Sequence, residues 1–452
     1  MRILRAKNLI ITFFVLLAVY QTGRLWFEDY SNHSLFKLSS ADSVAGNDTA
    51  YTSLLEGILI GNGNGQIIKK CDSYFFSEYK EDFDNAIYAA LNKGNFIGEE
   101  QINWNSTLKG KFIIYEYNFE IENKNIAKLF SVSSRKAAEI TKSIDSIIII
   151  PNIITENSLT VMFINTKESK GFKYIVKNES AKKVMENINT FIESEDELYY
   201  ISSDQNGFDV FEKNIFIPAW NSNNFSYNSI TAQNPLSDGE SVIISKLESY
   251  VNVFFKNPAA KWPSTVNGIY TYSDDNTVVK YYTNGVLEYS GYSANDSKNK
   301  GISFFDNYKS ASAFLNRDTN IKNDYYLKDY LVSDGKITFY FNYRLNNVPI
   351  FMSQSSMKKT SMNSFIEITC ENGKVTKYKR YICDFYLNND IIEFITTDFL
   401  KAIDNAIIKY NLETGNENFG NIKNAKLAYC YNGGNIISIK WFVNIDGKIY
   451  TL

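Results

Sequence analysis

The sequence predicts an α+β protein, in which an N-terminal transmembrane helix is followed by three extracytoplasmic domains, the last two being related units of antiparallel sheet plus helix. Three observations carry this. A charge-flanked apolar segment opens the chain, aromatic and β-branched runs alternate with helical periodicities, and the C-terminal half contains an internal duplication.

The opening segment sets the topology. Arg2, Arg5 and Lys7 precede an acid-free apolar run from Leu9 to Tyr20, and Trp26, Phe27 and Tyr30 follow it. Basic residues stay on the cytoplasmic side and aromatics mark the far interface, so residues 1–7 read as a cytoplasmic tail and 8–27 as a single helix in the lipid bilayer. The twelve residues from Leu9 to Tyr20 rise only ~18 Å, so the span continues to Phe27 with Arg24 reaching outward. A cleaved signal peptide would need small residues at its cleavage site, and neither Ala18-Val19-Tyr20 nor Gln21-Thr22-Gly23 supplies them. Ala18 and Thr22 form a small-xxx-small step, with Thr12 nearby, which makes these three the candidate partner-binding residues within the membrane. An anchor that only faces lipid fits the same motif equally well.

Residues 28–50 are polar and small, as expected of a juxtamembrane linker. An N-terminal domain over 51–222 follows. In it DFDNAIYAALN (Asp82 to Asn92) and SAKKVMENINTFIES (Ser180 to Ser194) have helical spacing, whereas KFIIYEYNFEI (Lys111 to Ile121) and SIIIIPNIIT (Ser146 to Thr155) read as strands.

The central (223–355) and C-terminal (356–452) domains carry the duplication. At an offset of 96, YSDDNTVVKYY (Tyr272 to Tyr282) aligns with ITCENGKVTKY (Ile368 to Tyr378), placing Asn276 over Asn372, Val279 over Val375 and Tyr282 over Tyr378. Helical segments follow at Phe304 to Arg317 and Phe399 to Asn411. At an offset of 100, DGKITFYFNYRLNNVPI and GNIISIKWFVNIDGKIY then align Ile337 with Ile437, Phe341 with Trp441, and Asn346-Asn347 with Asp446-Gly447. Each copy is expected to form a curled antiparallel sheet with a helix across one face.

Composition narrows the function. Without the four basic residues of positions 1–27, the exterior part has 43 basic against 50 acidic residues, a net charge of −7, which does not favour nucleic acid. The one histidine, His33, lies in the linker, so no Ser-His-Asp or Cys-His pair can form in the folded part. Cys71, Cys370, Cys383 and Cys430 show no C-x-x-C pair and no histidine partners for a zinc site. Disulfides are open to them outside the membrane, but buried free thiols are favoured. No cofactor is implied.

The remaining motifs are weak. Gly61 to Gln66 (GNGNGQ) lacks the G-K-[ST] of a phosphate loop and reads as a hairpin turn. Ser133 to Lys136 matches S-x-x-K without its companion elements. Glu99-Glu100 and Asp274-Asp275 are acid pairs whose neighbours on a strand face opposite ways. Asn105, Asn178 and Asn224 head N-x-S/T triplets that an Asn-rich chain produces by chance.

The order of segments is similar to that of the YycH regulatory proteins of the YycFG (WalRK) two-component system. An anchoring helix comes first, then Ile217-Pro218-Ala219-Trp220, then FFKNPAAKW with YTYSDDNTVVKYYTNGVLEYS. The ending AKLAYCYNGGNIISIKWFVNIDGKIY resembles the one YycH shares with YycI, although Lys440 stands before Trp441 where a proline is expected. The resemblance implies three extracytoplasmic domains and no catalytic residues. It also implies binding to YycI and to the sensor histidine kinase YycG (WalK), with transmembrane helices carrying much of the contact. The resemblance thus implies a non-enzymatic, membrane-anchored kinase regulator controlling cell-wall homeostasis. An anchored envelope hydrolase and an extracytoplasmic wall-ligand-binding protein are the alternatives.

Overall fold

The segment SLTVMFIN (Ser158–Asn165) is buried along its whole length, as a strand must be when both faces of its sheet are covered. It lies near the centre of a nine-stranded sheet in a computed structural model of the chain. That structure describes residues 53–452 apart from 64–66, 72, 134–136, 138, 141, 153–156, 178–179, 194–198, 220–224, 240, 293–302, 396 and 416–419. The anchor expected at 8–27, with Thr12, Ala18 and Thr22, lies outside the described residues, as does His33. Among the described residues no helix is long and apolar enough to cross a membrane.

The first sheet contains β1 (Leu55–Gly61), β2 (Ile68–Lys70), β3 (Asn95–Gln101), β4 (Phe112–Ile121), β5 (Ile144–Asn152), β6 (Ser158–Asn165), β7 (Lys170–Lys177), β8 (Tyr199–Ser202) and β9 (Phe216–Ala219). Its order is β3-β7-β6-β5-β4-β1-β2-β8-β9, and every pairing is antiparallel. Helices α1 (Ser73–Lys93) and α4 (Ser180–Ile192) cover one face. Their apolar residues recur at helical spacing, with Phe76, Phe83, Ile87 and Ala90 on α1 and Ala181, Val184, Ile188 and Phe191 on α4 all buried. Short α2 (Trp104–Thr107) and α3 (Asn123–Leu129) complete this region. On the opposite face, Leu59, Ile114, Ile148 and Met162 form a smaller core with Trp104.

The second large sheet has twelve strands in the order β11-β12-β13-β14-β19-β18-β16-β17-β21-β23-β24, with β15 also paired to β16. A third sheet places β10 (Phe225–Gln233) between β20 (Asp384–Ile395) and β22 (Ile436–Ile437). In chain order the strands of the twelve-stranded sheet begin with β11 (Trp262–Val266), β12 (Ile269–Ser273), β13 (Thr277–Tyr282) and β14 (Val286–Gly291), followed by helix α6 (Phe304–Leu315). Next come β15 (Asp324–Ser333), β16 (Lys336–Leu345), β17 (Val348–Met352), β18 (Ile366–Glu371) and β19 (Lys374–Tyr381). Beyond β20 lie α8 (Phe399–Thr414), β21 (Ile422–Tyr431), β23 (Ile439–Ile445) and β24 (Lys448–Thr451), while α5 (Ile244–Asn252) and α7 (Gln354–Thr360) are smaller helices between strands. Side-chain caps start both repeat helices: Ser303 Oγ accepts the Asp306 N–H, and Asp398 Oδ1 accepts that of Lys401 at 2.8 Å.

The duplication is present in the pairing itself. Leu327 pairs with Phe341 across one hairpin and Leu427 with Trp441 across the other, both members shifted by 100 residues. All four are buried. Asn346-Asn347 (φ 47° and 62°) and Asp446-Gly447 (φ 50° and 87°) close equivalent two-residue turns. Both central residues have positive φ, the geometry that fits the right-handed twist of a hairpin. Asn372-Gly373 closes another such turn, but its expected counterpart around Asn276 is a longer loop over Asp274 to Thr277.

One expectation needs correction. The two copies do not close separate sheets: β14 pairs with β19, β18 with β16, and β17 with β21. Helix α6 of the first copy consequently lies over β18 and β19 of the second as well as β16. Alternation in sequence sets which face of a strand is buried, but an open edge accepts any strand of matching register.

A buried ion pair ties the copies together. Arg380, on β19, donates to Asp318 Oδ2 at 2.9 Å, to Tyr343 Oη at 3.1 Å and to the Asn320 carbonyl at 2.9 Å. Tyr378 Oη donates to the same Asp318 oxygen at 2.9 Å. The Arg380 and Asp318 side chains are only 1% and 3% exposed. Removing one partner from a pair this buried leaves an uncompensated charge. Asp318→Ala is expected to cost about 3–5 kcal/mol in urea unfolding, against about 0–1 kcal/mol for Lys142→Ala, which breaks an exposed pair with Glu168. Equal losses would remove the pair from its structural role.

The two hairpins give a second check. Phe341→Ala and Trp441→Ala should each cost about 3–5 kcal/mol in the same measurement, because each leaves a large cavity in a packed core. A loss for Trp441→Ala as small as that of a surface substitution would show that the equivalence does not extend to packing.

Candidate functional site: a charged cavity between the sheets

The site begins at a β-bulge. In β1 against β4 the register passes from Leu55↔Tyr117 to Gly57↔Glu116, so Glu56 is the extra residue. A bulge re-aims the side chain it carries. Glu116 follows the apolar run Phe112 to Tyr115 and lies opposite both Gly57 and Ser146. Lys70, opposite Leu59 on β2, crosses the space where Gly57 has no side chain: a Cβ there would stand 2.5 Å from Lys70 Cε. A side chain at 57 would displace the end of the lysine from this position.

The far wall comes from the second large sheet. Asn347, Val348, Asn424, Lys426, Leu427 and Tyr429 close over the first sheet and enclose a cavity of about 160 Å³. Polar contacts fasten the rim. Asn347 Nδ2 donates to the Cys71 carbonyl at 2.8 Å, and Arg344 Nη1 donates to the Leu55 carbonyl at 3.2 Å while its Nε holds Asp324 at 2.5 Å.

Three lysines and three carboxyls line this space, and two pairs of them are satisfied. Lys426 Nζ donates to Glu56 and, at 3.3 Å, to Asn118 Oδ1. Lys213 Nζ donates to Asp145 at 2.9 Å, and Asp145 also accepts the Thr166 N–H at 2.9 Å and the Thr166 hydroxyl. Lys70 and Glu116 are left over. Neither makes a hydrogen bond or ion pair among the described residues.

Their electrostatics follow from that isolation. Burial, reinforced by the charge of Glu56, pushes the Glu116 carboxyl up to about 7 against the pull of Lys70 and Lys426. Burial lowers Lys70, partly offset by Glu56 and Glu116. For Glu56 burial acts upward, but the charges of Lys426 and Lys70 outweigh it and hold the carboxyl below its ordinary value. Lys213 is raised because Asp145 outweighs its burial.

Among the described residues, none of the candidate catalytic residues from sequence lines the cavity, although Pro218 of the Ile217-Pro218-Ala219-Trp220 segment and Lys426 of the C-terminal ending do. Ser133 is exposed, and Lys136 lies outside the described residues. Glu99 and Glu100 sit on edge strand β3, paired to Lys170 at 2.5 Å and Lys173 at 3.5 Å. Asp274 accepts the Asn276 N–H at 2.9 Å in its exposed loop. Gly61 and Gly63 belong to the β1–β2 connection, where Asn62 N–H bonds the Ile67 carbonyl at 3.1 Å. All four cysteines are free thiols, with Cys370 and Cys383 pushed up to about 12, Cys370 by burial and Cys383 by burial first and then the nearby Asp384. No metal-ligating cluster occurs among the described residues. Glu56, Lys70, Glu116, Lys213 and Lys426 were not singled out in sequence. Only Glu56 and Glu116 left a trace there, as carboxyls inside the apolar runs LLEGILI and FIIYEYNF.

The architecture is that of an α+β protein of mostly antiparallel sheets, with a repeated strand–helix–strand order and a polar cavity where the sheets meet. The structure resembles the crystal structure of YycH from Bacillus subtilis, with a TM-score of 0.54 at 14% identity over 89% of this chain and 96% of that one. The chain has the YycH fold. An uncharacterized protein from Eubacterium rectale aligns with a TM-score of 0.33 at 12% identity over 57% of this chain and 89% of that one. No protein-family model and no curated protein sequence matches.

Glu116 makes stability depend on pH. Its folded value near 7 lies above its ordinary 4.5, so the folded state retains a proton that the unfolded chain has released. Stability is then lost as pH rises from about 4.5 to about 7 and is flat above. Glu116→Gln should raise the thermal midpoint by about 2–4 °C or more at pH 8 and change it little at pH 5. A shift of the same size at both pH values would show that Glu116 does not titrate in this window.

Proposed function

We propose that this chain is a membrane-anchored, non-enzymatic regulator of a sensor histidine kinase of the YycG (WalK) type, acting beside a YycI-like partner in control of cell-wall homeostasis. The observation that carries the reading is the YycH fold, which extends over nearly the whole of both chains. The sequence adds the anchor-like segment at 8–27 and the YycI-like ending. The division into an N-terminal domain at 51–222, a central one at 223–355 and a C-terminal one at 356–452 belongs to the same proposal. Regulation of this kind needs no turnover. A differential interaction of ~1–3 kcal/mol with two kinase states shifts their ratio ~5–150-fold.

One observation favours the hydrolase alternative. Glu56 is held ionised while Glu116 is pushed up to about 7, and two carboxyls separated in this way are what acid–base catalysis uses. Size weighs against it. The cavity is about 160 Å³, whereas sites for sugar-sized or drug-sized substrates run to roughly 300–1,000 Å³.

The test is kinase-dependent reporter output at matched expression for wild type, an Ala18→Leu/Thr22→Leu variant and a fragment of residues 28–452 released as a soluble protein. Leucine preserves insertion but prevents close helix packing, so the double variant should alter regulation without changing protein level or localisation. The soluble fragment should lose most activity, since the membrane supplies the effective concentration. Full regulation by the fragment would move the coupling surface to the exterior domains. Peptidoglycan hydrolysis abolished by Glu116→Gln would replace the regulatory reading with the enzymatic one.

A further inference from the structure

We propose that the cavity between the sheets is a binding site for a small zwitterion, an α-amino acid, whose carboxylate is taken by Lys70 and whose ammonium is taken by Glu116. The reasoning starts from the lining groups that remain once internal pairs are removed. Lys426 is held by Glu56, and Lys213 by Asp145. Lys70 and Glu116 remain unpartnered, opposite in sign and on the same face of the first sheet, beside the gap left by Gly57. Buried charged groups without partners are costly, so the site is complementary to a molecule carrying one group of each sign.

Other ligand classes fit less well. An anion would meet Lys70 but leave Glu116 facing it, with Glu56 and Asp145 behind. A cation would meet Glu116 but lie against three lysines. An apolar molecule would satisfy neither group. The volume of about 160 Å³ suits glycine, alanine or serine better than a disaccharide or a nucleotide. Phe216, Tyr117 and Tyr200 contribute apolar wall that would face a short side chain.

The protonation state of Glu116 adds a signature. The groups facing it are Glu56 on β1, Lys70 on β2, Asp145 on β5, Tyr200 on β8, Lys213 before β9 and Lys426 on β21. With its carboxyl near 7 in the empty site, an arriving ammonium ionises it, so binding releases a proton and tightens as pH rises from 6 to 8. The inference stands apart from kinase regulation, because binding is read on purified protein and regulation in cells.

The experiment uses the detergent-solubilised full chain. Glycine, L-alanine, D-alanine and L-serine, each at about 10 mM, are compared with acetate and methylammonium by thermal shift, and the best is titrated by calorimetry in two buffers of different ionisation enthalpy. At least one amino acid should bind with proton release, the single-charge controls should not, and Lys70→Met and Glu116→Gln should each weaken binding about 10–100-fold or more. Glu116→Gln preserves shape and so keeps the test decisive if Lys70→Met fails to fold. Absence of binding by all four amino acids, equal binding of acetate or methylammonium, or undiminished binding by Glu116→Gln would each overturn the proposal and leave a water-filled cavity.

Discussion

The Arg380–Asp318 pair is the constraint on which the C-terminal half of the fold is organised. Its cation stands on β19, which belongs to the second copy of the duplicated pattern, and its anion follows α6, which belongs to the first. Around them Tyr343 and the Asn320 carbonyl accept from the guanidinium and Tyr378 donates to the carboxylate, while the Tyr250 ring centroid lies 5.8 Å from the guanidinium carbon. Desolvating two charges is expensive, and hydrophobic replacement of such a network is often neutral or stabilising. The pair therefore acts less as net stabilisation than as a condition on register, since displacing β19 by one residue would turn Arg380 away from its only carboxylate partner.

Contacts between the two large sheets are of a different kind. Near their apolar part Ser53 shares a short hydrogen bond with Tyr308 at 2.6 Å, and Phe119 packs against Phe304 and Tyr330. Towards the cavity the contacts become ionic. Lys426 reaches Glu56 across 370 residues of chain, and the Arg344 guanidinium reaches the Leu55 carbonyl. A hydrophobic junction would close as tightly as a core. Paired charges hold the walls without filling the space between them, and the cavity persists where Lys70 and Glu116 find no partner.

This separates the regions that a regulator of a membrane kinase would use. Helices α1 and α4 and the aromatic cores give one packed body whose hydrophobic cluster runs from Leu54 to Tyr450. Such a body can transmit an event at its cavity to its surface only if the two sheets change their mutual packing, and their ionic junction is the place where small changes in charge alter that packing most. The anchor-like segment, by contrast, would restrict the body to the bilayer surface and raise its effective concentration near a partner.

Much of the secondary structure was legible in sequence because its causes are local. The spacing of Phe83, Ile87 and Ala90 gives a helix, the alternation in KITFYFNYRL gives a strand, and Asn346-Asn347 and Asp446-Gly447 give tight turns through their tolerance of positive φ. The pairing of Leu327 with Phe341 is less local, because a bulge between Leu327 and Asp329 shifts the register set by the turn. Which strand edges meet is not local. The joining of β14 to β19 and β17 to β21 depends on shape and register between segments that no sequence window contains. The cavity is further removed still, because Glu56, Lys70, Glu116, Lys213 and Lys426 come from five separate segments, and their protonation is set by burial and mutual distance. Local backbone preference is written residue by residue, whereas desolvation and charge coupling exist only after the sheets have packed, and so the elements belonged to the sequence and the site to the tertiary structure.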